Sequence, residues 1–415
     1  MSDRKVVITG LGVISCLGLT VDELWKNLLE GKSGIKKIEQ FDTTGLASAI
    51  GGEITNFDPA DYIDKKLIKR VDKFIHYALP AADQAIEDAG LNSYAGLDKN
   101  KVGVIFGSGI GGVESFYKTS VEIDKNPNKK VSPFFIPSLI TNMAPGQISI
   151  KYGFRGANFS ISTACATATH SIIAAAHAIE RGDCDIVVTG GTEAPISRIG
   201  FAGFCSARAL STRNDEPEKA SRPFDADRDG FVMSEGAGAL VLESEESAIR
   251  RGAKIYAEFV SGGLSCDAYH MTAPLENGEG AALAISGAIR AGKIDPSAVD
   301  YINTHGTSTP LGDIAETTAV KSVFGEHAKK LKLNSTKSMV GHMLGAAGAV
   351  ELITTAKSIA EQKIHGTVNI ENPDPMCDLD YNRTGTIDYS INYAVSNSFA
   401  FGGQNASILV AKYDR

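Results

Sequence analysis

A chain of 415 residues exceeds one ordinary core and points to two fused units or one large layered domain. Its 43% hydrophobic and 22% charged content is that of an ordinary globular protein. A formal net charge of -8 leaves no basic surplus to neutralise phosphates, which excludes a general nucleic-acid binder and requires any acidic partner to meet a local basic patch.

In chain order, the opening MSDRKVVITG enters a strand at once and leaves no room for a signal peptide. No apolar run approaches the ~20 residues that cross a bilayer, so the expectation is a cytoplasmic protein without membrane contact. Helical patterns follow at Asp22–Gly31 and Lys69–Ala89, then the strand KVGVIFGSG. GANFSIST reads as extended, ATATHSIIAAAHAIERGD as an alanine-rich helix, and CDIVVTGG as a buried strand. GALVLES, KIYAEFVSGG and VDYINTHG are further strands, separated or followed by helices at Glu279–Gly292 and Ala346–Glu361, before the closing strands of NYAVSNSFAFGGQNASILVAKY. This alternation predicts α/β layering with central strands buried on both faces. The sequence strand, glycine-rich turn, long helix recurs around Cys165 and again at LNSTKSMVGHMLGAAGAVELITTAKSIAEQ, which suggests an internal duplication.

Two formal motifs are set aside. GSGIGG, Gly107 to Gly112, matches a dinucleotide fingerprint, but the βαβ unit that should follow is replaced by the basic, proline-broken NPNKKVSPFFIP. DADRDG, Asp225 to Gly230, copies the start of a calcium loop, but its twelfth position is Gly236 where a bidentate glutamate is required. A turn whose carboxylates hold amides or arginines is expected instead.

Six cysteines form no C-x-x-C pair, so neither a metal site nor a disulfide framework is indicated. Cys165 stands apart because STACATATH places it where an extended run gives way to a helix. Unpaired amides and the macrodipole at a helix start stabilise a thiolate, which predicts an acidified nucleophile. His170 and His177 project about 140° and 120° around that helix from Cys165, so a base must come from elsewhere. His305, in NTHGTSTPLGD, and His342, in KSMVGHMLGAAGAVEL, have suitable small-residue surroundings. Two imidazoles donating to one carbonyl oxygen would stabilise an enolate.

The blocks STACATATH, RPFDADRDGFVMSEGAGALVLE, NTHGTSTPLGD, KSMVGHMLGAAGAVE and SNSFAFGGQNAS resemble those of the elongating β-ketoacyl-acyl-carrier-protein synthases, condensing enzymes of the thiolase fold, and the resemblance runs from VVITGLGVIS to the terminus. It implies duplicated α/β halves in five layers, αβαβα, with residues 1–252 carrying the cysteine and 253–415 both histidines. It implies a decarboxylative Claisen condensation with Cys165 as acyl acceptor, His305 and His342 on the malonyl thioester, Lys337 and Glu351 in support, and Phe401 as gate and oxyanion amide. The same resemblance places Thr307 and Thr309 on the pantetheine arm and Ile110, Phe135 and Phe204 along the acyl chain. Asp267 and His270 fall in a mobile loop, CDAYHMT, beside the Ala400–Gly402 gate. No bound cofactor or metal is implied; substrates arrive on the 4'-phosphopantetheine of an acidic acyl carrier protein.

For that carrier, DKKLIKRVDKF concentrates Lys65, Lys66, Lys69 and Arg70 with Lys73, and a continuous helix would put Lys66, Lys69, Arg70 and Lys73 on one face. Lys129, Lys130 and Arg208 are expected to help. A homodimer is implied by the family, and the alanine-rich helices would suit close subunit contact. Ala168, Ala400 and Gln404 depart from the family pattern, and the added Cβ at Ala400 predicts slower gate motion. A polyketide ketosynthase subunit, or a silent scaffold subunit, are the competing functions.

Overall fold

A computed structural model describes residues 4–414. Ten strands share its main sheet: β1 (Val6–Ser15), β2 (Val102–Gly107), β3 (Asn158–Phe159), β4 (Ile186–Glu193), β5 (Gly236–Ser244), β6 (Ala257–Cys266), β7 (Tyr301–Asn303), β8 (Lys332–Asn334), β9 (Tyr393–Phe399) and β10 (Gln404–Ala411). Their spatial order is β8-β7-β9-β10-β6-β1-β5-β4-β2-β3. Outward from the central β6–β1 contact, each side runs first, fifth, fourth, second, third strand of its own set. In each set the first two pairings are antiparallel and the remaining two parallel. The sides join through only three pairs, Val6 with Phe259, Val7 with Glu258 and Ile8 with Ala257.

Five long helices complete the layers: α1 (Lys73–Asp88), α2 (Thr167–Glu180), α3 (Glu279–Ala291), α4 (Pro310–Phe324) and α5 (Ala347–Glu361). Alternation along β5 shows how: Ala237, Ala239 and Val241 face the outer core under α1, with Phe74 and Ile75, while Leu240 and Leu242 face the central core with Ile172, Ile173, Leu352 and Ile353 of α2 and α5. The other outer core joins Ile285, Ile289, Val320 and Phe324 of α3 and α4 to Ile302, Leu333 and Leu409. Both middle helices are buried on most sides, because strands of the two sets cover them.

The alanines expected at a subunit contact, Ala175, Ala176, Ala347 and Ala349 among them, lie in this central core. They let α2 and α5 touch: a Cβ at Gly348 would come 2.0 Å from the Thr169 hydroxyl. Among the described residues no helix is long and apolar enough to cross a membrane.

The helix expected over Lys69–Ala89 begins only at Lys73, and a separate short helix precedes it. Lys65–Ile68 and α1 are separate, because Asp64 accepts from the Lys66 amide at 2.8 Å and Asp72 from the Phe74 amide at 3.3 Å, starting a new helix at each carboxylate. Lys66, Lys69, Arg70 and Lys73 therefore share no single helical face. The extended GANFSIST contributes only the two-residue strand β3, and part of NPNKKVSPFFIP forms a short helix, Phe135–Leu139.

Candidate active site

Cys165 sits in a 3₁₀ turn, Ala164–Ala166, that opens into α2, and the turn is entered through Ala164 in the left-handed region at φ 47°. The second half repeats the device: Leu344 has φ 45°, the turn Leu344–Ala346 follows, and α5 begins. Such a conformation costs an L-residue roughly 1–2 kcal/mol and is held by the packed helix behind it. The thiol is 9% exposed. Burial pushes it up to about 11 and Glu193 adds to the rise, while the Lys337 charge and the Phe401 N–H, directed at the sulfur, oppose it. The acidified thiol expected from the helix start is thus corrected: desolvation outweighs the dipole in this apolar cleft.

His305 leaves the end of β7. Its amide donates to Glu316 Oε1 at 2.9 Å, the Gly306 amide to Oε2 at 2.8 Å, and Asn397 Nδ2 to Oε1 at 3.1 Å, so one carboxylate fixes the whole loop. Lys337 Nζ donates to the His305 carbonyl at 2.6 Å, stands 3.4 Å from Nδ1, and forms a fully buried ion pair with Glu351. Burial lifts Glu316 and Glu351 to about 7.

His342 is fixed through its backbone, donating to the Val232 carbonyl at 2.7 Å and accepting from the Ser234 amide at 2.9 Å. Its ring lies edge to face against Phe231, with centroids 5.2 Å apart, and neither ring nitrogen has a hydrogen-bond partner among the described residues. Burial, reinforced by the Lys337 charge, holds both imidazoles well below their ordinary range. Each is neutral, with one N–H to give and one lone pair to receive.

These groups line one cleft of about 780 Å³, including its open mouth. Cys165, His305, His342, Phe204, Asp267, Thr307, Thr309, Ala400 and Phe401 all border it, with Phe231, Phe399 and Glu316. The hydroxyls of Thr307 and Thr309 are 3.0 Å apart. Asp267 accepts from Asn405 at 2.7 Å and donates its amide to Gly403, which ties its loop to the gate; the Gly402 amide donates to Met271. Of the residues expected along the substrate, Ile110, Phe135, His270 and Gly402 do not border the cleft. Ile110 is 40% exposed, Phe135 stacks on Phe116 at 6.5 Å, His270 accepts the amides of Thr272 and Ala273 at 3.1 Å, and Gly402 has a left-handed backbone at φ 85°.

Among the cations, Lys65, Lys66, Lys69, Arg70, Lys130 and Arg208 are exposed. Arg70 stacks on Phe134 at 4.5 Å, and Lys129 pairs with Glu122 at 2.6 Å. Lys73 points inward onto the buried Glu235 at 3.0 Å and is not part of any surface patch. In DADRDG, Asp225 accepts from Arg222 and from the amides of Asp227 and Asn372, the arginine-and-amide turn that its spacing implied.

The sequence did not single out Glu193, Glu316, Phe231 or Phe399. A signal existed for Glu316: Asp313, Glu316, Thr317, Val320 and Phe324 recur at three- and four-residue spacing on one buried face of α4, so an acid falls where apolar residues belong.

A strand-and-turn duplication that delivers a thiol and two neutral imidazoles to one cleft defines a thiolase-like α/β enzyme. Residues 3–248 match the model of the β-ketoacyl synthase N-terminal domain and residues 256–371 that of its C-terminal domain. The 3-oxoacyl-[acyl-carrier-protein] synthase 2 of Synechocystis sp. is 46% identical over 414 residues, covering 100% of this chain and 99% of the relative. The protein of the same name from a Staphylococcus aureus strain is 50% identical over 414 residues, covering 99% of each. A solved type II polyketide ketosynthase, bound to a hexaketide and in complex with its acyl-carrier protein, superposes with a TM-score of 0.91 at 35% identity, covering 99% of this chain and 100% of that one. A β-ketoacyl synthase from Burkholderia phymatum gives 0.91 at 34% identity, with the same coverage. The chain belongs to the β-ketoacyl synthase family.

Proposed function

We propose that this protein is an elongating 3-oxoacyl-acyl-carrier-protein synthase, an acyltransferase that joins a Cys165-bound acyl chain to a malonyl unit with loss of carbon dioxide. Both substrates arrive on an acyl carrier protein, a reading that the names of the relatives support, and we take the carrier to be acidic and its arm to be 4'-phosphopantetheine. In the first half-reaction the Cys165 sulfur attacks the acyl thioester, its proton passes to the departing pantetheine sulfur, and the amides of Cys165 and Phe401 receive the tetrahedral oxyanion. In the second, the malonyl thioester carbonyl accepts N–H donors from His305 and His342. The carboxylate leaves as carbon dioxide, the enolate carbon attacks the acyl carbonyl, and the Cys165 thiolate is released to take up a proton.

The observation that carries this proposal is His342, buried and unpartnered at both ring nitrogens, edge to face with His305 in the cleft that holds Cys165. Neutral imidazoles suit the second step, because a donor without net charge stabilises an enolate without trapping the malonyl carboxylate as an ion pair. Lys337 and Glu351 would set the field around them. No bound cofactor or metal enters, since decarboxylation supplies the carbanion. We place the protein in the cytoplasm as a homodimer. Exposed apolar residues beside the open edge of β3, Phe159 at 42% and Ile150 at 72%, and on the Phe116–Ile136 face support a covering second copy. A division into 1–252 and 253–415 accords with two strand sets of one topology.

The likeness to a polyketide ketosynthase favours one alternative, a subunit whose product length is set by a partner. Incubating the protein alone with acyl carriers of graded length and malonyl carrier, followed by mass analysis, separates the two. Acyl carriers lengthened by two carbons support the elongating enzyme, and no product without a second subunit supports the alternative.

A further inference from the structure

GSGIGG has the form of a phosphate-binding loop, and its donors do converge on an anion, one supplied by the chain itself. Glu193, the last residue of β4 and fully buried, accepts the Ser108 hydroxyl and the Gly109 amide at 2.8 Å and the Ile110 amide at 3.1 Å. A fourth donor comes from the other half of the molecule: the Gly345 amide, at 3.0 Å, in the turn that follows His342. Ser108 in turn accepts the Gly111 amide at 3.0 Å, which closes the loop. Glycine is required at both approaches, because a Cβ at Gly109 would lie 2.7 Å from Glu193 Oε2 and one at Gly345 2.4 Å from it. The loop also meets the Cys165 turn, where Ser162 donates to the Gly109 carbonyl at 3.0 Å.

A carboxylate with four neutral donors is the arrangement a phosphate finds in a glycine-rich loop. Here the anion joins three segments that must agree for condensation: Ser108–Ile110, the Cys165 turn, and the Leu344–Ala346 turn behind His342. We infer that Glu193 is a positioning residue for the condensation, filling the loop's cradle and locking the Ser108–Ile110 turn to the His342-bearing turn through Gly345. The inference rests on the proposed condensation. It explains why a phosphate-type glycine pattern stands in a protein whose substrates bind elsewhere, and it assigns the placing of the His342-bearing turn to a residue that does not border the cleft.

Burial raises the Glu193 carboxyl above its ordinary range while its four donors oppose the rise, and in the ionised form its charge reaches the nucleophile. The groups facing Cys165 are Lys337, which favours the thiolate, Glu193, which disfavours it, the neutral His305 and His342, and the Phe401 N–H. Glu193→Gln in the full-length protein keeps the shape, removes the charge, and turns an NH₂ toward two of the four donors. Losing charge-assisted hydrogen bonds predicts a fall of about tenfold or more in kcat/KM for condensation. It also predicts a lower pH midpoint for iodoacetamide alkylation of Cys165, a shift that packing alone would not produce. Folded Glu193→Gln with wild-type turnover and alkylation midpoint overturns the inference. Should that variant not fold, Ser108→Ala removes a single hydroxyl; a fall in kcat for condensation at unchanged KM supports the inference and an unchanged kcat overturns it. The wild type is assayed in parallel. Absence of condensation there refutes the proposed function, whereas condensation by the wild type and unchanged variants refutes only the role of Glu193.

Discussion

His305 and His342 meet edge to face, with ring centroids 5.4 Å apart and planes at 86°. The perpendicular arrangement lets N–H groups on two different loops converge on one point without the rings excluding each other. Lys337 holds the His305 loop by its carbonyl, and the Val232 carbonyl holds His342 by its amide, so both rings are aimed by their backbones. In the proposed mechanism the substrate carbonyl would be met by donors already in place, which is where electrostatic stabilisation acts most strongly.

Removing either donor should cost roughly 10²–10³ in malonyl decarboxylation, about 3–4 kcal/mol. His305→Ala and His342→Ala are predicted to lose carbon dioxide release from malonyl carrier, measured with labelled malonyl groups. Cys165→Ala is predicted to lose all condensation while retaining that release. Unchanged release in either histidine variant contradicts the assignment.

The Lys337–Glu351 pair is buried on both sides, and removing one partner leaves a buried charge uncompensated, which costs about 3–5 kcal/mol. Urea denaturation should show Lys337→Met strongly destabilised and the Lys337→Met, Glu351→Gln double variant far less so than the sum of the singles. Additive losses would mean that the pair contributes nothing as a pair.

His365 is buried behind the site, bonded to the Gly366 carbonyl at 2.8 Å and to Thr336 at 3.1 Å, and burial lowers it to about 4. The unfolded chain takes up this proton near pH 6.5, while the folded chain resists until about pH 4. Its contribution is therefore fully present above about pH 6.5 and is lost as pH falls, by about 3 kcal/mol at about pH 4. Comparing wild type with His365→Gln isolates it: the stability difference should shift by that amount between about pH 7.5 and about pH 4. A constant difference would contradict the assignment.

Arg70 is exposed and stacked on Phe134, whereas Lys73 is committed to Glu235. Arg70→Glu and Lys66→Glu should each weaken carrier binding by at least a few-fold, with the loss shrinking as salt rises. Lys73→Gln should lower thermal stability and leave carrier affinity near wild type. Titration calorimetry with an acyl carrier at two salt concentrations checks both, and equal effects of Arg70 and Lys73 would refute the division.

Much of this was legible in the sequence because it is written in local patterns. The alternating strands, the alanine-rich helices and the small-residue turns at Cys165 and His342 each follow from a short window. What was hidden depends on distant partners. The helix expected from Lys69 starts instead at Lys73, because Asp72 caps it, a role no periodicity reveals. The thiol at Cys165 was taken as acidic from its place on the helix, yet its acidity is governed by residues that bury it from other parts of the chain. Glu193 gave no signal, since a carboxylate bound by four neutral donors looks in sequence like any other acid at the end of a strand. Alanine runs that suggested a subunit contact are explained by two helices meeting between sheets.

The central claim is that Cys165 carries the acyl chain while two neutral imidazoles prepare the malonyl unit. Incubation with an acyl carrier, digestion and mass analysis should find the acyl group on the peptide containing Cys165, and malonyl carrier should then discharge it as a 3-oxoacyl carrier two carbons longer. An acyl group found on any other residue, or an acyl-Cys165 that malonyl carrier does not discharge, would contradict it.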